Sequence, residues 1–560
     1  MKKSTLDKMI SSFQSKSVPN VTHNNLSAQA GAKDLTKFKI VFLDILVIIA
    51  VLVSGFIRFW QVKDFNFAFT FDQARDMLEI RPMANFLDLK LTGPTTSING
   101  LLLGPFYYYF NLPPFWLSGG SPQALTDWNI LSFLATGLFF YFTLKRFDNI
   151  AAFFVTLFYL LSPQLFVITS YFWNANAAVY IGGLFFLSLL LYSREDSVKN
   201  TIFMAVMAAL TMQFEAAFGV VCVGYAFLIV FLNRKLPQIK TLLIVSIPFF
   251  IPQLLFELAH KFPMTQYFID SFSPTKSVLG VKTPITEIIS THYIAITDMF
   301  EGQMWLPYGY GLYLWLVSFI AMLISHKYRK TALYFFGFLL FSFLFYVAIY
   351  HHPLKVWYLQ GYRIWYLIVW GFGLSLIIKW LLSPPGQNKW FRVIKPAKYF
   401  LLVLLFTFLV RNFYLVLLDK YNVIVNSQKS NDPKNARNII ATIDWVYNKA
   451  DGTEFEAYTY VPEVYEYPYQ YFYWWHGNKQ YGYAPKVASY SLSDVPVYLN
   501  MADKFIQTQG GGKSEKIALI YEINGTYDSW LNQFKDYCVL DKQTFFWPVT
   551  AEWREKCKQN

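Results

Sequence analysis

The sequence predicts a mainly α, polytopic transmembrane helical bundle of about eleven spans, with outer juxtamembrane helices and a small C-terminal extracytoplasmic α/β domain. Three observations predict it. Of 560 residues, 55% are hydrophobic and only 15% charged, whereas a soluble domain carries roughly a quarter charged residues. Aromatic residues reach 20%, with 56 Phe, 39 Tyr and 17 Trp; Phe suits lipid-facing helices, and Tyr and Trp suit the membrane interfaces. Apolar runs recur between residues 40 and 420, and basic residues gather in the short connections between them. The formal charge of +13 is therefore orientation charge, and no nucleic-acid partner is implied.

Residues 1–36 are polar and rich in Lys, Ser, Asn and Gln, which predicts a disordered cytoplasmic tail. The first apolar run, near 40–60, ends in an interfacial Arg58-Phe59-Trp60. Further runs lie near 122–144, 149–168, 175–192, 199–214, 216–232, 239–258, 307–325, 331–350, 361–382 and 397–418, several close to the lower length limit of a span. Lys145-Arg146, Arg194 with Lys199, Arg234-Lys235 with Lys240, Lys327 with Arg329-Lys330, and the segment 379–398 fall at every second connection. The positive-inside rule then places the N-terminus in the cytoplasm and the C-terminal domain outside a plasma (inner) membrane. This parity holds if 101–118 does not cross. Gly104-Pro105 and Pro113-Pro114 are read there as breaks in an outer juxtamembrane or re-entrant helix. The domains expected are 1–36 (tail), 37–418 (transmembrane, with 61–121 as first outer loop) and 419–560 (soluble). Loop 260–305 and the connection 351–360 share the outer face.

In the soluble part, Asn431-Asp432-Pro433 reads as a helix start before an amphipathic run through Ala436, Ile439, Ile440, Ile443 and Val446. Lys516 to Tyr521 reads as a strand. Cys222 lies in an apolar run and suits packing. Cys538 and Cys557 are open to disulfide formation if their region is extracytoplasmic.

Chemistry concentrates in the first outer loop. If Phe69 to Met83 is helical, Asp72, Arg75, Asp76 and Glu79 share one face and Met77 and Ile80 turn to the bilayer. Spacing alone fits an interfacial helix with solvated charges. Elsewhere, Lys355 and Arg363 are candidate phosphate contacts or snorkelling belt cations. Glu215 is a carboxylate between two short spans, costly unless it faces a cavity or a partner. Trp173, Asn174 and Asn176 suit sugar binding or helix capping. The run Tyr465, Tyr467, Tyr469, Tyr471, Tyr473, Trp474 and Trp475 suits carbohydrate, a domain core or docking. His351-His352 lack a partner cluster for metal.

The stretch Asp72-Gln73-Ala74-Arg75-Asp76, then Thr92-Gly93-Pro94, then Gly104-Pro105-Phe106-Tyr107-Tyr108-Tyr109 resembles the first outer loop of the GT-C glycosyltransferases. The likeness is to the protein O-mannosyltransferase-like and lipid A aminoarabinose transferase-like branch. Lys145-Arg146-Phe147-Asp148 resembles that family's basic-aromatic turn. The resemblance covers order and topology over 40–420. It implies inverting transfer of a hexosyl or pentosyl group from a polyprenyl-phosphate sugar to an extracytoplasmic hydroxyl on lipid, glycan or protein. It implies Asp72 as general base; Asp76, Glu79, Glu215, Tyr107 and Tyr108 are supporting candidates. Arg75 is either a phosphate contact or an ion-pair partner of Asp72, Asp76 or Glu79. Two departures stand out. Gln73 replaces the second acid of the family's usual pair, which leaves a divalent metal unsupported, and no cofactor is required. Leu103-Gly104 stand where a basic residue precedes the prolines, so the donor phosphate needs another cation. A lipid-linked sugar transporter or flippase and a non-catalytic envelope assembly protein are the alternative functions.

Overall fold

The computed structural model describes residues 23–84, 88–96, 100–271, 284–287, 289–290, 293, 310–348, 355–383, 389–426, 430–461, 466–490, 492, 514–523 and 527–558. The segment Met1–Ile49 is one unit and Ala50–Asn560 another. Helix starts at His23 and runs to Val62. The part of the expected disordered tail before His23 lies outside the described residues. From His23 on the tail is helical instead, because Leu26, Ala28, Gln29, Ala30, Ala32 and Lys33 are good helix formers that extend a helix already nucleated by the apolar run.

The architecture is that of a mainly α multi-pass membrane protein with a C-terminal sheet domain. Among the described residues, six helices are long and apolar enough to cross a membrane: Val41–Phe65, Asn174–Arg194, Leu236–Ala259, Arg329–Ala348, Tyr362–Leu382 and Pro396–Asn426. The bent pair Asn149–Leu161 and Pro163–Thr169 brings the number to seven. Val198–Phe214, Ala216–Leu232 and Gly311–Ile324 are shorter apolar helices, so length and composition together give fewer spans than there are apolar runs.

The break at Ser162-Pro163 bends the pair by 57°. Proline has no N–H and ends the ladder, so carbonyls of the last turn lose their partners. Arg58 supplies one. Its Nη1 donates to the Leu160 carbonyl at 3.0 Å and its Nε to Thr169 Oγ1 at 2.8 Å. Its guanidinium lies over the Phe133 and Phe166 rings. Arg58 is thus only 1% exposed and not interfacial as expected: the broken helix needs a donor at that depth.

The basic connections meet at one end of the bundle. Asp148 caps Asn149–Leu161 through Ala151 N, pairs with Lys379, and accepts from Tyr328 Oη and Ser375 Oγ, each at 3.0 Å. Arg194 donates to the Lys327 carbonyl, and Lys235 pairs with Asp196 at 3.3 Å. These connections therefore share an end, the parity that the charge pattern predicts.

At the opposite end, Phe106–Ser118 is a single 13-residue helix with Pro113 and Pro114 inside it. The expected break at these prolines is absent. A proline's φ is already helical, so only the bonds to Tyr109 and Phe110 are lost, and the turn comes later, at left-handed Gly119. At about 20 Å this helix is too short to span.

Among the described residues, the C-terminal sheet domain has five strands: β1 Glu456–Tyr460, β2 Val487–Ser489, β3 Lys516–Glu522, β4 Tyr537–Thr544 and β5 Val549–Lys556. Their order is β2-β1-β3-β5-β4. β1 pairs in parallel with β2 and β3, and β5 runs antiparallel to β3 and β4. Tyr458, Ile517, Leu519, Trp530 and Phe534 form a core on the sheet. Helix Ala436–Ala450 is capped by Asn435, whose side chain accepts from Arg437 N. Asp432, the expected start, makes a preceding turn by accepting from Lys434 N at 2.9 Å. Cys538 and Cys557 are disulfide-bonded, and Cys222 is free and buried. The bond closes a loop with a sequence separation of 19. Cys557→Ser is expected to lower the domain's stability by about 3 kcal/mol, read as a lower midpoint in thermal unfolding that reductant reproduces in the wild type.

Candidate active site

The site starts at helix Phe71–Ala84. Thr70 begins it, because Gln73 Oε1 accepts from both Thr70 N at 2.8 Å and Thr70 Oγ1 at 2.6 Å. Such a reach back from the third residue locks a first turn. Gln73, standing at a position where the family pattern has an acid, thus serves the helix start.

Asp72, Arg75 and Asp76 form one buried ion cluster. Arg75 Nη1 lies 3.0 Å from Asp72 Oδ1, and its Nη2 2.8 Å from Asp76 Oδ1. The same guanidinium donates to Thr95 Oγ1 at 2.7 Å. Three acceptors around one planar fork fix its orientation. Arg75 is an ion-pair partner first, which answers the alternative left open by spacing. Its cation is held firmly protonated: burial opposes the charge, but Asp76 and then Asp72 outweigh it. Burial pushes the Asp76 carboxyl up, with Arg75 pulling the other way. Asp76 is fully buried, and its Oδ2 has no hydrogen-bond partner among the described residues. Tyr108 Oη reaches Asp76 Oδ1 only at 3.4 Å. Glu79 leaves the cluster and pairs with Lys90 at 2.6 Å.

The expected solvated, membrane-facing helix is corrected here. Met77 and Ile80 are completely buried, because protein covers both sides of the helix. Phe106–Ser118 packs on one side, and helix Tyr467–His476 of the soluble domain on another. Phe69 meets Phe472 at 4.8 Å, Phe71 stacks on Tyr467 at 5.1 Å, and Arg81 lies 4.0 Å over Trp474. Backbone bonds join the two regions, from Phe69 N to the Lys434 carbonyl at 2.8 Å and from Ala436 N to the Phe67 carbonyl at 2.9 Å. Tyr471 Oη and Trp475 Nε1 donate to the carbonyls of Gly120 and Gly119. The described part of the aromatic run is therefore core and docking surface; Tyr465 lies outside the described residues.

The glycine stretch positions Thr95. Gly93 N donates to the Leu103 carbonyl at 2.7 Å, and Leu103 N to the Pro94 carbonyl at 2.9 Å. A β-carbon on Gly93 would lie 2.1 Å from the Gly104 carbonyl oxygen, a backbone atom with little room to give. Gly93→Ala is expected to cost about 1–3 kcal/mol and to displace Thr95 from Arg75, visible as lower thermal stability together with lower activity.

A cavity of about 220 Å³ opens at this end, lined by Phe71, Asp72, Arg75, Thr95, Thr96, Leu103, Trp173, Asn174, Glu215, Trp357 and Tyr358. Three of the expected site residues, Asp72, Arg75 and Glu215, meet here. Asp72 keeps 34% side-chain exposure, whereas Glu215 is 7% exposed. Trp173 and Trp357 approach at 6.1 Å, and Asn174 Nδ2 donates to the Phe214 carbonyl at 2.9 Å. Lys355 and Arg363 do not line the cavity. Lys355 is exposed, 5.9 Å over Trp357. Arg363 donates to Gln164, and its Nε has no partner among the described residues. Both Asp72 and Arg363 act on Tyr171, whose hydroxyl is pushed up chiefly by burial, Asp72 adding to the rise and Arg363 opposing it. Tyr107 packs against Phe214 behind the wall. His351 and His352 lie outside the described residues. Among the described residues, no three His, Cys, Asp or Glu side chains are grouped closely enough to hold a metal ion. Glu257, unassigned by sequence, caps the next helix by accepting from Met264 N and Thr265 N. Thr95, Thr96, Trp357 and Tyr358 were not singled out by sequence reasoning. The signal available for the last two was a Trp-Tyr pair beside the basic Lys355.

Fold and site together define a multi-pass membrane protein in which a first loop, packed beneath the C-terminal domain, walls a carboxylate-bearing cavity at one end of the bundle. The fold is the GT-C fold. Among solved structures the chain is similar to ArnT from Cupriavidus metallidurans bound to undecaprenyl phosphate, with a TM-score of 0.55 and 14% identity over 91% of this chain and 97% of that one. It is similar to the apo state of the same protein, with a TM-score of 0.53 and 12% identity over 93% and 98%. The Archaeoglobus fulgidus oligosaccharyltransferase in the apo form aligns at a TM-score of 0.44, with 13% identity over 78% and 64%. No family model and no curated protein matches the sequence.

Proposed function

We propose that the protein is an inverting membrane glycosyltransferase that moves a hexosyl or pentosyl group from a polyprenyl-phosphate donor to an extracytoplasmic hydroxyl, with Asp72 as general base. The observation that carries this is a partly exposed carboxylate, oriented by a buried arginine, in the wall of a cavity with two tryptophans. The structural neighbour with undecaprenyl phosphate bound supports the donor class. In the reaction the acceptor oxygen attacks the anomeric carbon, its proton passes to Asp72, and the bond to the phosphate oxygen breaks with the electron pair leaving on the lipid phosphate. Arg75 holds Asp72 in place and aimed. Trp173 and Trp357 offer faces to the sugar. Lys355 and Arg363 are the candidate cations for the leaving phosphate. The step uses no metal-bound group.

The protein would sit in the plasma membrane with the basic end cytoplasmic and the cavity end outside. The shared end of the basic connections and the disulfide in the soluble domain both support that orientation. The test is transfer of labelled sugar from polyprenyl-phosphate donors in membranes carrying the protein. A transporter would move the lipid-linked sugar across vesicles without forming a glycosylated product, and an assembly factor would do neither.

A further inference from the structure

We propose that Glu215 works as a neutral carboxylic acid that donates a hydrogen bond to the phosphate of the bound polyprenyl-phosphate lipid, an inference that rests on the donor class proposed above. The geometry begins with charge. Among the described residues, Asp72, Asp76 and Glu215 stand in and directly behind the cavity wall against one cation, Arg75, whose guanidinium is already spread over Asp72, Asp76 and Thr95. With all three acids ionised, the site would repel a phosphate. Asp72 and Asp76 each have Arg75 at hydrogen-bonding distance. Glu215 has no cation: among the described residues its one hydrogen bond comes from Ala217 N, at a long 3.4 Å.

The position of Glu215 follows from the fold. It ends helix Val198–Phe214 and caps helix Ala216–Leu232, so the chain turns at the cavity wall and carries the side chain in with it. The helix N-terminus favours the carboxylate, but one long amide contact is a weak offset to burial. Burial pushes the carboxyl up to about 8, with Ala217 N–H opposing. Asp72 and Arg75 from the loop helix and Tyr358 from the segment Val356–Leu359 share the cavity with it. Tyr107 packs on the adjacent Phe214. A protonated carboxyl is a donor where the ionised form accepts only. Protonation therefore removes a like charge and adds the donor that the motif's missing basic residue would otherwise supply.

The experiment uses the full-length protein in detergent and undecaprenyl phosphate as probe, between about pH 7.5 and 9.5, where a phosphate monoester stays dianionic. If only the protonated form binds, the apparent Kd of the wild type weakens roughly 20-fold across that window. Glu215→Gln, neutral at every pH, should reduce this ratio to near one. A wild-type ratio near one, or the same ratio in Glu215→Gln as in the wild type, would overturn the proposal. Infrared difference spectra of the ligand-free protein give an independent reading. A carboxylic-acid carbonyl band, absent in Glu215→Gln, should be present at pH 7 and bleach as pH rises through about 8. Absence of that band at pH 7 refutes a neutral Glu215 whether or not the lipid binds. A band with the expected titration, and no lipid binding by folded wild type at any pH, refutes the phosphate as its partner and with it the donor class.

Discussion

Asp72→Asn is expected to reduce sugar transfer by about two to four orders of magnitude, while the protein still inserts and folds. Asparagine keeps the size of the side chain and an oxygen facing Arg75 Nη1, the contact now at 3.0 Å. It cannot take the acceptor's proton. Asp72 lies in the first turn of its helix and is a third exposed, so the cost in stability should stay below about 1 kcal/mol. The measurement is initial rate of transfer in membranes, set beside expression and the thermal midpoint of purified protein. A wild-type rate in Asp72→Asn would remove the base assignment and leave the fold untouched. Loss of both rate and folding would point instead to a structural carboxylate.

Arg75→Leu should be the most damaging single change to the outer loop, at about 3–5 kcal/mol. It strands Asp76, which is 0% exposed and has Arg75 as its ion-pair partner. It also removes the donor to Thr95 and frees Asp72. Transfer should vanish with stability, because the loop helix carries the base. The double variant Arg75→Leu with Asp76→Leu separates the causes. Removing the stranded carboxylate should recover most of the lost stability, since paired apolar replacements of buried ions are often neutral. Activity should not return, because Asp72 has lost its anchor. An Arg75→Leu protein as stable as wild type would show that Asp76 is neutral in the native protein and needs no cation.

Much of the scaffold was legible residue by residue. Apolar runs and basic connections are local signals, and Asp148, Arg194, Lys327 and Lys379 do meet at one end. The strand at Lys516 was legible for the same reason. Arg58 was misplaced because its reason for burial lies about a hundred residues away, in the carbonyl freed beside Pro163. Pro113-Pro114 suggested a break, yet proline's φ is already helical and the helix carries the two lost bonds without ending. Met77 and Ile80 look lipid-facing by periodicity, which shows that a face is apolar and is silent on whether lipid or protein covers it.

Composition and the spacing of charges determined by themselves that this chain spans a membrane many times, which turns share an end, and that acids and a base line one helix at the other. Only tertiary structure decided that Asp72 meets Glu215, Trp173 and Trp357 around one cavity, that Arg75 is consumed by its neighbours, and that the tyrosine-rich helix roofs the loop. The reason is physical: periodicity and charge act within a few turns of chain, whereas burial and ion pairing depend on which distant segments arrive to exclude water.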